Sequence, residues 1–586
     1  MSWWISTDIA TSSGAVVWYG SEPRYLARIW PNADKSKWWL RLWDIRASKS
    51  RYTATIGTKT AHATDEDAFA ALGPDDVAIS VGPTNRPSKA RANIDGVSDV
   101  RALLGWLASE RGGRRPRTQP PVQLRIARSA TAGMPLVVVS NRLPVETMRG
   151  DSRVSEVGGL VSGLSSALEA HRGIWLGWSG QQHEAPDVLS IDVDRSRASF
   201  KLAPDEHARY YNGLSNRALW PTFHGFIERT RFREDEWATY VEVNRRIAEH
   251  VLHLVAPEGH VWVHDFHVLL VARTLRARGF AGRIGHFLHI PFPPPEALET
   301  LPCARELVES MLAFDLLGFH TVRYADNFRR AAQLFAAASL TEDERVVHAG
   351  GRTRVAVLPL GVDAAAFDPA HADGEEIAAL RRGLDGRKLL LGVDRLDYTK
   401  GIVERIAAFA RLFELHPEWR GRVTLLQICV PSRSEVPEYV AQRKAVEEAV
   451  GRVNGEHGES HWVPIRYVFR SYDRATLAGI YRAADVALVT PLRDGMNLVA
   501  KEFVAAQDPD QPGVLVLPRF AGAAEELTDA ILTNPYHRGG MARDIASALS
   551  MPLGERVRRH ERLREVVRSQ TPDRWARTFL DLLASR

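Results

Sequence analysis

The stretch that most constrains the fold is Gly392-Val393-Asp394-Arg395-Leu396-Asp397-Tyr398-Thr399-Lys400-Gly401. The run from Leu389 to Val393 has the continuous hydrophobicity of a buried parallel strand. A turn carrying Arg395 and Lys400 follows. Gly401 then opens an amphipathic helix with apolar residues at Ile402, Ile406, Phe409 and Phe413. Two fixed cations therefore stand where a strand hands over to a helix. In a doubly wound sheet that carboxyl edge is where ligands bind. A forked guanidinium, a point-charge ammonium and helix-start amides together suit a diphosphate. The plainer alternative is a surface loop holding ion pairs.

A second stretch repeats the logic. Val486 to Thr490 reads as a strand, Asp494-Gly495 as a turn, and Asn497 as the N-cap of a helix through Ala506. Gly495 allows backbone to approach a ligand. Asp494 is placed to accept hydrogen bonds from sugar hydroxyls, and Glu502, one to two turns into the helix, from a ribose. The competing reading of Asp494 is a simple helix cap.

Further strands, Val423–Cys429, Arg466–Phe469 and Val514–Leu517, alternate with helices from Arg387 to about Gln570, which predicts a parallel sheet. An earlier α/β region begins at Leu136–Ser140, followed by the loop Asn141-Arg142-Leu143-Pro144. Gly158-Gly159 starts a helix whose free amides can hold a phosphate. The strands His260–His264, Arg283–His289, Phe314–Phe319 and Val355–Pro359 follow, and residues 362–386 read as the passage between domains. Asp265 ends one strand, as a helix cap or a sugar ligand. His289 ends another, where Pro291, Pro293, Pro294 and Pro295 stop it.

Composition excludes several classes. At 586 residues, 45% hydrophobic and 25% charged, the chain suits a soluble multidomain protein. No run of 18 apolar residues predicts a membrane span, and the N-terminus lacks a signal-peptide pattern. Cys303 and Cys429 have no metal-type spacing, so no metal site is expected and a reducing cytoplasm fits. The net charge of +5 belongs to the first 133 residues, which hold 19 Lys and Arg against 12 Asp and Glu. Residues 1–110 carry eight of the sixteen tryptophans without a sustained alternation. Residues 111–133 are Arg-rich and without acid, as in a disordered linker or a nucleic-acid-binding arm. A further expectation is that the natural chain begins at Met134-Pro135, directly before the first strand.

Together with Val138-Val139-Ser140-Asn141-Arg142-Leu143-Pro144 and His289-Ile290-Pro291-Phe292-Pro293, the two stretches resemble the retaining trehalose-6-phosphate synthases over about residues 135–586. The resemblance implies an α/β protein with two facing Rossmann-like domains, the GT-B arrangement, behind an N-terminal extension. The implied boundaries are 1–110 and 111–133 for extension and linker, 134–369 for the acceptor domain, 370–570 for the nucleotide-sugar domain, and 571–586 for a helix returning to the first domain. It implies donor contacts from Gly159, His289, Arg395, Lys400, Asp494, Gly495, Met496, Asn497, Leu498, Val499 and Glu502. It implies acceptor contacts from Arg142, Trp178, Tyr211, Trp220, Asp265 and Arg433, with flat faces for a sugar and cations for its phosphate. Arg395, Lys400, Asp265 and His289 are the implied catalytic set. The implied reaction moves glucose from a nucleoside diphosphate glucose, UDP-glucose first with the base left open, to glucose 6-phosphate; the donor is a co-substrate rather than a cofactor. The implied partners are these small molecules, with no membrane or nucleic acid; a homo-oligomer is left open. The alternatives are transfer to another phosphorylated acceptor, as in glucosylglycerol-phosphate synthases, and a non-catalytic regulatory protein.

Overall fold

A computed structural model describes residues 133–585, apart from 145, 150–151, 156–158, 184–188, 193–195, 368–373 and 434–435, together with the backbone of strands between residues 3 and 94. The chain divides into two compact units, Met1–Pro121 and Val122–Arg586. In the first, Trp3–Ser6, Gly14–Tyr19, Glu22–Pro31, Lys37–Asp44 and Lys49–Gly57 pair in sequence order as an antiparallel meander. The sequence showed no sustained alternation there. The Arg-rich linker expected over 111–133 lies outside the described residues but for Gly133.

Among the described residues the second unit holds two large sheets and a two-stranded antiparallel ladder of Glu146–Arg149 with Ser152–Ser155. The first has ten strands, with Met134–Arg142 and Val255–His264 adjacent at its centre. Toward one edge lie Ile174–Gln182, Arg197–Leu202 and Ser190–Asp192; toward the other lie Ile284–Phe287, Leu316–Phe319, Gly351–Val357, Val346–His348 and Ser339–Leu340. The central pairings are parallel and the outermost ones antiparallel. The second sheet has six parallel strands in the order Ile465–Val468, Val423–Val430, Lys388–Arg395, Val486–Leu488, Val514–Pro518, Ile531–Thr533. Parallel strands covered on both faces need apolar side chains on both, which is why Leu389, Leu390 and Leu391 are all buried.

Residues 362–386 are more than a passage. Helix Glu375–Leu384 buries Ile377 and Leu384 in the second core, as their helical spacing dictates. The last helix, Pro572–Ala584, lies on the first sheet. Its Phe579 ring occupies the space that a Cβ would take at Gly285, and it stacks on Trp262 at 4.5 Å. Where the chain crosses between domains, Gly361 meets the backbone oxygen of Gln570 so closely that no larger residue fits. The buried Lys501 Nζ donates to Leu360 O at 2.9 Å, Gln570 Oε1 at 2.9 Å and Glu526 Oε2 at 2.6 Å, tying both crossings to one helix. Among the described residues no helix is long and apolar enough to cross a membrane.

Candidate active site

The second sheet presents the charged half. Strand Lys388–Arg395 ends at an exposed Arg395. Asp397 then accepts from Thr399 N at 2.9 Å and shapes the turn Tyr398–Lys400. Gly401 has φ 62°, and a Cβ there would stand 2.4 Å from Thr490 O. Only glycine satisfies both the left-handed backbone and that approach. Leu492 N donates to Thr399 O at 2.8 Å, joining this turn to the second loop. Lys400 Nζ reaches Asp494 Oδ2 at 2.5 Å, and Asn497 Nδ2 reaches the same oxygen at 3.0 Å. Burial pushes the Asp494 carboxyl up, but Lys400 outweighs it, so its pKa lies below the usual carboxylate value. Asp494 therefore takes one of the three donors of Lys400, whereas Arg395 has its Cζ 5.9 Å from the Trp220 ring.

Asn497 sits at φ 77° and accepts from Ala500 N at 3.2 Å, capping helix Leu498–Ala506 as its sequence position predicts. Gly495 differs from expectation in what it approaches. A Cβ there would meet His289 O at 2.3 Å, so the glycine allows close contact with the first domain's backbone. Met496 is buried in the second core, with Leu498 and Val499 half-buried beside it. Glu502 accepts from Tyr481 Oη at 3.1 Å, and burial raises its carboxyl.

The first sheet's edge is aromatic, and its buried histidines are neutral. Asp265 follows strand Val255–His264 at φ 73°, ψ 172°, a strained position for a residue with a Cβ. Its Oδ1 is buried without a hydrogen-bond partner. Burial pushes its pKa up to about 6, against the backbone amides of Phe266 and His289 and the charges of Arg433 and Arg395. His289 lies two residues past strand Ile284–Phe287. Its Nε2 is 3.1 Å from His264 Nδ1, a neighbour that sequence reasoning did not single out. Burial holds both imidazoles well below the usual histidine value, with mutual repulsion adding at His289, so both are neutral at pH 7. Gly159 heads helix Gly159–Ala170, and the loop before it, 156–158, lies outside the described residues.

Segment His207–Leu219 is a π-helix, a rare form that recurs at functional sites, and sequence periodicity gave no sign of it. It carries Tyr211, whose ring lies 6.4 Å from Trp178 and stacks on His267 at 5.7 Å. The exposed Arg142 guanidinium lies 5.4 Å from the Trp178 ring. Trp220 follows the π-helix and meets the second domain: Arg433 Cζ lies 4.1 Å from its centroid. Arg433 adopts φ 47°, and its Nη1 lies 3.4 Å from Asp397 Oδ2 and also contacts Tyr439 Oη. Its Nε–H is buried without a partner.

The structure thus gathers Arg395, Lys400, Asp494 and Arg433 from one domain near Asp265, His289 and Trp220 from the other. Glu502 accepts from Tyr481 within the second domain. Among residues the sequence reading passed over, Arg405 carried a signal: it lies on the apolar stripe between Ile402 and Ile406. It is fully buried and donates to Asp394 Oδ2 at 2.7 Å, Gln427 Oε1 at 2.9 Å and Thr490 Oγ1 at 2.9 Å. That side chain fixes the ends of the two strands from which both loops spring. Tyr439 carried no such signal.

Two α/β domains with cations at one sheet edge and sugar-sized aromatic faces at the other define a glycosyltransferase of the GT-B type. Residues 135–585 match the model of glycosyltransferase family 20. A trehalose-6-phosphate synthase of Cronobacter sakazakii is 42% identical over 449 residues, spanning 76% of this chain and 94% of that protein. Among solved structures, an α,α-trehalose-phosphate synthase (UDP-forming) from Burkholderia xenovorans in complex with glucose-6-phosphate superposes with TM-score 0.72 at 39% identity, covering 77% of this chain and all of that one. An E. coli structure bound with UDP-2-fluoro glucose gives TM-score 0.72 at 39% identity, covering 76% and 98%. The chain belongs to glycosyltransferase family 20, the trehalose-6-phosphate synthases.

Proposed function

We propose that this chain transfers glucose from UDP-glucose to the anomeric hydroxyl of glucose 6-phosphate, with retention, giving α,α-trehalose 6-phosphate and UDP. The observation that carries the reading is the pair of guanidinium groups on one indole. Arg395, from the loop assigned to the diphosphate, and Arg433, with an unpartnered buried Nε–H, both lie against Trp220. One cation is suited to a leaving diphosphate and the other to the acceptor's phosphate. The bound molecules of the Burkholderia xenovorans and E. coli relatives support the same two substrates.

In this reading catalysis is positioning plus stabilisation of charge on the leaving oxygen. Arg395 meets the diphosphate directly. Lys400 is shared between that group and Asp494, which aims its ammonium. His289 is neutral, so it serves the donor sugar as a hydrogen-bonding group rather than a charge. Asp265 ionises at about pH 6, is anionic at neutral pH, and accepts from the acceptor sugar. The acceptor hydroxyl attacks from the face that the diphosphate leaves, and the departing phosphate oxygen takes its proton. Cys303 and Cys429 are buried free thiols, which supports a cytoplasmic setting. The test is product identification with UDP-, GDP- and ADP-glucose against glucose 6-phosphate and glycerol 3-phosphate. Formation of trehalose 6-phosphate from UDP-glucose is the expected result. Product with glycerol 3-phosphate alone would move the chain to the other acceptor class.

A further inference from the structure

We propose that Asp397 is a positioning residue that couples the two substrate sites, one carboxylate oxygen setting the diphosphate loop and the other setting Arg433. The inference rests on the reading that Arg433 holds the acceptor's phosphate.

Asp397 is 1% exposed, so its contacts are made without competition from water. Oδ1 accepts from Thr399 N at 2.9 Å and shapes the turn that ends in Lys400. Oδ2 accepts from Tyr439 Oη at 2.9 Å and lies 3.4 Å from Arg433 Nη1. The two oxygens of one side chain thus serve opposite substrates. Arg433 needs such an anchor. Its backbone is left-handed at φ 47°, which a residue with a side chain adopts only when its surroundings enforce it. Asp397 and Tyr439 hold the guanidinium from the second domain, and the Trp220 face covers it from the first at 4.1 Å. Asp397 and Tyr439 engage Nη1 only; of the remaining N–H groups, the Nε–H is buried and unpartnered. A guanidinium fixed on one edge offers its remaining donors in a set direction, which is what recognition of a phosphate requires.

The charge on Asp397 is secure. Burial opposes it, but Arg433, Arg395 and Lys400, with the Thr399 amide, outweigh burial and hold the carboxyl below its usual range. Asp394, three residues earlier, differs: its partner is the wholly buried Arg405, and burial prevails there. Asp397 alone of these two touches a residue assigned to the acceptor. The diphosphate loop and the anchor of Arg433 are thus tied through one side chain.

The test is steady-state kinetics of the full chain with each substrate varied in turn, for Asp397→Asn, Tyr439→Phe and Arg433→Ala. In Asp397→Asn the amide oxygen still accepts from Thr399 N, while the NH2 group takes the place of the acceptor for Tyr439 and Arg433. The KM for glucose 6-phosphate should rise about tenfold, as for loss of a hydrogen bond to a charged group, and that for UDP-glucose by no more than about threefold. Tyr439→Phe should show the same selectivity at about threefold, and it carries the test if Asp397→Asn does not fold. Equal rises in both KM values, or a lower kcat with both unchanged, overturn the assignment of Oδ2 to the acceptor side, and the proposal with it. An Arg433→Ala variant with an unchanged KM for glucose 6-phosphate overturns the acceptor assignment and this inference with it. A responsive Arg433→Ala beside unresponsive Asp397→Asn and Tyr439→Phe overturns this inference alone.

Discussion

The two sheet edges that meet at the site solve the same problem in opposite ways. On the second sheet the polar groups are ions, and each buried one is matched. Lys400 lies 2.5 Å from Asp494, Arg405 lies 2.7 Å from Asp394, and Arg433 lies 3.4 Å from Asp397. On the first sheet the equivalent edge carries His264, His289 and His320, which burial keeps neutral, among the rings of Trp178, Tyr211 and Trp220. A buried ion needs a partner or costs several kcal/mol, about as much as breaking a pair. A buried imidazole escapes that cost by giving up its proton. The difference fits the chemistry proposed for each side. Negative charge develops on the diphosphate, where fixed cations act, while a glucose ring needs flat faces and neutral hydrogen-bonding groups.

The sharpest way to break this contrast is to remove charge from the second edge. Arg395→Ala and Lys400→Ala should each lower turnover by roughly 10²-fold or more, the usual result of deleting a group that stabilises the leaving charge. Lys400→Ala also strands the Asp494 carboxylate, so its melting temperature should fall while that of Arg395→Ala, whose residue is exposed, should not. Unchanged kinetics in a folded variant would remove the diphosphate assignment. A smaller effect is expected where the edges touch. Arg433→Ala should raise the KM for glucose 6-phosphate by about tenfold or more and leave that for UDP-glucose nearly unaltered, since a phosphate clamp serves one substrate. Equal changes in both would take Arg433 out of the acceptor site.

Sequence legibility follows the same division. The second sheet's strands were readable because strands buried on both faces are continuous apolar runs: Val423–Cys429 lies within Val423–Val430, and Val514–Leu517 within Val514–Pro518. Strand Ile531–Thr533 was missed because two half-buried apolar residues and a buried threonine make no apolar run. Arg197–Leu202 was missed although Ala198, Phe200 and Leu202 alternate inward, the pattern of a strand near a sheet edge. At the site, the cations were visible as residue types at a strand–helix junction. Their partners were not, because Lys400 and Asp494 are separated by 94 positions and no local pattern encodes that pairing. The pairing of His264 with His289 was hidden for the same reason. The π-helix was illegible because its period is not the one by which apolar faces are read.

Asp265 allows the neutral side to be probed by pH. Its folded-state pKa of about 6 lies above the ordinary 3.8, mainly through burial. The fold therefore favours the neutral carboxyl. That contribution is complete below about pH 4 and is lost as pH rises through 6. Asp265→Asn cannot ionise, so its stability relative to the unaltered protein should improve by roughly 1 kcal/mol between pH 5 and pH 7.5. The side chain is 26% exposed, so water screens part of the effect. Urea unfolding of both proteins at the two pH values measures it. A constant difference would mean that Asp265 is already solvated and belongs with the charged edge.

The smallest effect is expected at the greatest distance in sequence from the site, and it asks whether the two edges are the whole machine. We predict that a chain of residues 134–586 keeps turnover within about twofold and melts with the parent protein, since changes away from a site and its packing alter stability little. Every residue placed at either edge lies beyond Met134. Strand Met134–Arg142 begins its pairing at that residue, opposite Val255, so a start there leaves the central ladder intact. The match to the family model starts at residue 135, and the Burkholderia xenovorans relative is covered in full by 77% of this chain. Thermal melts and steady-state kinetics of the two proteins, run side by side, decide it. A melting temperature lower by several degrees, or a clear loss of turnover, would show that the contrast between the edges depends on a third element. The N-terminal meander would then have to be counted as part of the enzyme.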